Sequence, residues 1–139
     1  MEYGISISFE LAHQAASAAM AKANAIGAPT VIAVVDVGGH LTVLMRRDHT
    51  QFGSIRVAEA KARSAVAFMR PTKIFEDSLV ETPRILAISE AVPIEGGLPL
   101  IWDGRIVGGI GCAGATPQQD GQVAAAGVET FSKLVQHPG

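Results

Sequence analysis

Residues 33–65, AVVDVGGHLTVLMRRDHTQFGSIRVAEAKARSA, decide the fold. They read as strand, tight turn, strand, loop and helix. Residues 30–36 are β-branched and apolar on both faces, the composition of a central strand covered on both sides. Gly38 and Gly39 permit a tight turn. Residues 41–46 return as the paired strand, and 47–53 form a polar loop. Ser54 is placed to cap a second helix running to about Met69, with Ile55, Ala58, Ala62, Ala65 and Met69 along its buried stripe. Pro71 ends it. Four charges of this stretch, Asp36, Arg46, Asp48 and Lys61, are expected to converge on one place.

The same signals extend in both directions. Ser8 can cap a helix over residues 9–26, whose face of Ala12, Ala15, Ala16, Ala19, Ala23 and Ile26 allows close packing on a sheet or another helix. Gly27 suits the position just past its end, where φ is positive. Residues 72–97 predict two short helices, 73–80 and 83–90, the second with proline at its first position, and then a loop. Asp103-Gly104 between the apolar runs 98–102 and 105–112 marks a second hairpin. Thr116-Pro117-Gln118-Gln119 matches a capping box that opens the last helix, with Val123, Ala124, Gly127, Val128, Phe131, Leu134 and Val135 on its apolar face. Two hairpins separated by helices predict an α+β fold, an antiparallel sheet with helices on its faces. A length of 139 residues without repeat or linker predicts one domain, residues 1–139.

Composition narrows the function classes. A net charge of −2 without a lysine/arginine stripe speaks against a nucleic-acid partner. The basic residues over 56–70 are interrupted by Glu59 and alanines, as on a solvated helix face. No run of ~18 apolar residues suggests a membrane span. The opening MEYGISISFE lacks the charged and apolar regions of an export signal, and Cys112 stands alone. A cytoplasmic protein is expected. Fifteen glycines with 48% hydrophobic residues are more apolar content than a small monomer needs, so a homo-oligomer is expected.

Several motifs have both a functional and an ordinary reading. Residues 109–114, GIGCAG, spell G-x-G-x-x-G after a strand and before a helix. A dinucleotide site also needs a second parallel strand with an acid ~20 residues on, and the chain has no room for one. Close backbone packing is the better reading. None of His13, His40, His49 and His137 shows metal-ligand spacing. His13 lies at the edge of the first helix's apolar stripe, near Met20, and reads as surface or as an axial ligand to haem iron. His137, near the terminus, is expected to be disordered. Asp36 reads as a turn residue accepting N–H groups of the Gly38-Gly39 turn, or as part of an anion corner. Arg46 and Asp48 could pair with each other or with Lys61, or Arg46 and Lys61 could hold a carboxylate or a haem propionate. His49 could then move a proton. Cys112, flanked by glycine, reads as a small buried filler.

Taken together, Val35-Asp36-x-Gly38-Gly39-His40-Leu41, Arg46-x-Asp48 and Lys61-Ala62-Arg63-Ser64-Ala65 resemble the GlcG/HbpS-like family, which includes the C-terminal domain of PduO-type proteins. Glu95-Gly96-Gly97-Leu98-Pro99, Asp103-Gly104, Val107-Gly108, Gly111, Gly114 and Gln119-Asp120 extend the resemblance over residues 8–136. It implies a profilin-like three-layer α/β/α arrangement with an antiparallel sheet of about five strands, and oligomers. It also implies haem binding or degradation in some members and a place beside catabolic genes in others. Similar proteins usually carry a small or acidic residue at the position of His49, and Val-Ser where this chain has Cys112-Ala113. The resemblance puts a haem-ligating histidine on the first helix, where His13 is the nearest candidate.

Three functions follow as expectations. The first is binding of haem, a related tetrapyrrole or another small ligand through Asp36, Arg46, Lys61 and His13. The second is an enzyme acting on a small carboxylated metabolite by proton transfer or isomerisation, with Lys61 (or Arg46) holding the carboxylate and Asp48 or His49 moving the proton. The third is a non-catalytic oligomeric accessory protein.

Overall fold

The computed structural model describes residues 1–136, so His137 lies outside the described residues. The elements in chain order are β1 (Glu2–Tyr3), α1 (Phe9–Ile26), β2 (Val31–Val35), β3 (Leu41–Arg46), α2 (Gly53–Ala67) and α3 (Thr72–Ser78). A 3₁₀ turn (Pro83–Ala87) follows, then β4 (Gly97–Trp102), β5 (Arg105–Ala113) and α4 (Pro117–Gln136).

Local chemistry sets most boundaries. Ser8 Oγ accepts the Leu11 N–H at 3.2 Å to start α1, and Gly27 closes it in the left-handed conformation at φ 68°. At α4 the capping box is reciprocal. The Gln119 N–H donates to Thr116 Oγ1, and the Thr116 N–H donates to Gln119 Oε1, each at 3.2 Å. Ser54 does not cap α2. The helix begins one residue earlier, behind Phe52 and without a side-chain cap, and Ser54 Oγ instead accepts the Gln51 side-chain amide at 3.0 Å. Met69 falls outside α2, at φ 55°. The expected helix over 83–90 is only a 3₁₀ turn, in which Ile85 alone is buried, too little apolar surface to hold a longer helix.

Strand β5 is the spine of the sheet. Along one edge it pairs antiparallel with β4, and along the other with β2, which pairs antiparallel with β3. The fifth strand is β1, which runs parallel to β5 beside Arg105 and Ile106. Its two residues carry no periodic signal, which is why sequence patterning passes over it.

Helices α1 and α4 cover one face of the sheet and α2 the other. All five residues of β2 are buried, and they alternate as a covered strand must. Ile32 and Val34 join the core under α1 and α4 with Leu100, Ile110 and Phe131, whereas Val31, Ala33 and Val35 meet α2. The expected α+β fold with three α/β/α layers and five strands is the observed one. The G-x-G of β5 lies under α2. A Cβ on Gly109 would sit 2.6 Å from the Ala62 carbonyl oxygen, and one on Gly111 would run into the Ala58 carbonyl. The glycines let helix backbone rest directly on strand backbone.

Candidate functional site

Lys61 belongs to the sheet-facing stripe of α2, with Ala58, Ala62 and Ala65. Only 2% of it is exposed. Its Nζ donates to the carbonyl oxygens of Glu95 and Cys112, both at 2.9 Å, and lies 3.4 Å from Asp120 Oδ2. Asp120 stands in the first turn of α4, and its other oxygen accepts the Ala115 N–H at 3.2 Å. One ammonium thereby joins α2, the loop before β4, the end of β5 and the start of α4. Burial pushes the Asp120 carboxyl above the usual carboxylate range against the pull of the Lys61 ammonium and the Ala115 N–H. Burial, followed by the charge of Asp120, pushes the Cys112 thiol well up, so Cys112 is a packed filler rather than a nucleophile.

The other three charges stand elsewhere. Asp36 Oδ1 accepts the N–H groups of Gly38 and His40 at 2.9 and 3.0 Å, with His40 Nδ1 at 3.4 Å. This is the turn role, except that the second donor is His40 rather than Gly39. Arg46 lies at the far end of the same hairpin. Val35 pairs with Leu41 and Val31 with Arg46, so at ~3.3 Å per residue Asp36 and Arg46 are on the order of 15 Å apart. Arg46 and Asp48 are exposed and, among the described residues, make no ion pair with each other or with Lys61. His49 is exposed in a turn at φ 68°. The expected convergence of Asp36, Arg46, Asp48 and Lys61 is not formed. The hairpin separates the first two, and burial removes the last. The set expected for proton transfer is dispersed likewise, because Lys61 has no open face for a substrate carboxylate.

Asp120 and the carbonyls of Glu95 and Cys112 are the partners that sequence reasoning missed. A signal was present in both helices. Lys61 falls on the stripe Ala58-Ala62-Ala65, and Asp120 on the stripe Val123-Ala124-Gly127-Phe131. A charge on an apolar stripe demands a partner, and two of opposite sign identify each other.

His13 is exposed on α1 with its ring 5.8 Å from that of Phe9, which is itself 65% exposed. Phe9, one turn earlier, is its aromatic neighbour, while Met20 packs against the core. Separately, a cleft of about 660 Å³ opens where the tip of the β4–β5 hairpin meets residues 4–5 and the end of α4.

The layering and the glycine-floored contact under α2 define an α+β protein with a five-stranded sheet between helices. A family described as haem-degrading protein HbpS-like matches residues 7–129, and the chain belongs to that family. An uncharacterised 15.0 kDa protein of the dhaT–dhaS intergenic region of Citrobacter freundii is 30% identical over 92% of this chain and 94% of its own length. A double mutant of Streptomyces reticuli HbpS superposes with a TM-score of 0.84 at 33% identity, over 93% of this chain and 89% of that one. A PduOC:heme complex superposes with a TM-score of 0.81 at 28% identity, over 91% of this chain and 95% of the other. Among the described residues no helix is long and apolar enough to cross a membrane.

Proposed function

We propose that this protein binds haem or a related tetrapyrrole on the outer face of α1, with His13 as an axial ligand to the iron. The observation that carries this reading is the exposed His13 imidazole beside the exposed Phe9 ring. Among the described residues no group of three or more histidine, cysteine, aspartate or glutamate side chains is placed to hold a bare metal ion. A tetrapyrrole would fit that donor set, because it would bring most of its iron's ligands with it and would need only a single imidazole such as His13 from the protein. The solved haem complex of a family relative supports the same ligand class.

When bound, haem supplies iron redox and oxygen chemistry. In this proposal His13 ligates and Phe9 packs against the macrocycle. Lys61 is unsuited to a propionate because its three partners already occupy the ammonium. Arg46 does not take that role either: it pairs with Val31, whose side chain meets α2, and so stands on the sheet face opposite α1. Exposed Phe9, Phe52, Val80 and Leu86 are the kind of apolar surface expected of a homo-oligomer.

The test is a haemin titration of the purified apo-protein, following the Soret band, with His13→Ala alongside. A saturable shift at about one haem per chain, lost in the variant, is expected. Absence of saturation overturns haem binding, and full binding by His13→Ala moves the ligand off α1.

A further inference from the structure

The cleft at the tip of the β4–β5 hairpin is independent of α1's outer face and of the Lys61 pair. Its volume of about 660 Å³ lies within the range of small-molecule sites. Ile5, Ile101 and Val135 line it with Trp102 and Arg105, and Ser132 supplies a hydroxyl from α4. Trp102 and Arg105 are direct cross-strand partners, which puts their Cβ atoms roughly 5 Å apart. Trp102 is 44% exposed and Ile5 89%, so a flat apolar surface stands open beside a cation.

We infer that this cleft binds a planar aromatic monocarboxylate. The ring lies against Trp102 and the isoleucines, and the carboxylate meets the Arg105 guanidinium. Arg105 is available for it. Its present partner, Glu2 Oε2, is 3.6 Å away, and both side chains are more than half exposed, a pairing that water already weakens. A ligand carboxylate can replace Glu2 with two parallel N–H···O bonds at the fork of the guanidinium. Asp103 on the rim sets the charge of the ligand, because a second anionic group near the hairpin tip would face its carboxylate.

Trp102 is the chain's single tryptophan, so its emission reports on this cleft alone. The full chain is titrated with 2-naphthoate, and calorimetry on the same samples gives the stoichiometry. A saturable quench is expected. Affinity should fall about tenfold or more for uncharged 2-naphthamide and for the variant Arg105→Gln, the worth of one charge-assisted contact. His13→Ala should bind 2-naphthoate as the wild type does, and Arg105→Gln should bind haemin as the wild type does. These two controls separate failure of this site from failure of the haem proposal. Lack of saturation overturns the inference, as does equal affinity in a folded Arg105→Gln. Competitive displacement of 2-naphthoate by haemin overturns it when Arg105→Gln leaves 2-naphthoate affinity unchanged, and overturns the α1 haem site when Arg105→Gln weakens both ligands.

Discussion

Lys61 Nζ and Asp120 Oδ2 lie 3.4 Å apart with neither side chain more than 3% exposed, which makes them a buried ion pair linking two helices past the end of β5. Removing one partner strands the other without solvent. Lys61→Met should cost about 3–5 kcal/mol of stability by urea unfolding. Lys61→Met combined with Asp120→Leu should recover part of that loss, because no charge then remains buried. A Lys61→Met single variant as stable as the wild type would refute the structural role.

The contact of Gly111 with α2 leaves no room for a side chain. Gly111→Ala would press a methyl group on backbone atoms of Ala58 and Ala62, and should cost about 3 kcal/mol or more. Gly104→Ala is the contrast. Its new Cβ meets nothing within 4 Å, and the penalty is the strain of φ 71°, roughly 1–2 kcal/mol. Thermal melts of the two variants should rank them in that order. Equal losses would show that conformation, not contact, keeps Gly111 a glycine.

Asp36 gives the fold a pH dependence at the acidic end. Partial burial raises its carboxyl pKa, but the N–H groups of His40 and Gly38 and the His40 imidazole outweigh that, and the pKa is lowered overall. A carboxyl whose folded pKa lies below its unfolded value contributes stability that is fully present above the unfolded value of about 3.9. That contribution is lost as pH falls through the folded value. Asp36→Asn should therefore be less stable than the wild type at pH 6, and the gap should close as pH drops below about 4. A gap that stays constant between pH 6 and pH 2.5 in urea titrations would remove Asp36 from the acid response.

The elements bounded by caps and turn chemistry were legible in the sequence. Ser8, Gly27, Gly38-Gly39, Asp103-Gly104 and the Thr116 box each act within a few residues of themselves, so their meaning is local. The site was less legible for the opposite reason. Lys61 finds Asp120 across 59 residues and Glu95 across 34, and charge proximity along the chain pointed instead to Asp36, Arg46 and Asp48. The hairpin that looked like a device for gathering those charges holds two of them at opposite ends. Ser54 misled in a smaller way. Its position suited a cap, but a neighbouring glutamine amide claimed its hydroxyl.

The partners of Lys61 also order the events of folding. An ammonium sheds its water only when replacements are in place, and here those are the Glu95 carbonyl, the Cys112 carbonyl and the Asp120 carboxylate. The hairpin of β2 and β3 can form while Lys61 is still hydrated, but the closing of β5 and α4 over α2 cannot precede its dehydration. A pair closed last in this way predicts that Lys61→Met speeds unfolding more than it slows refolding, which stopped-flow urea kinetics would read.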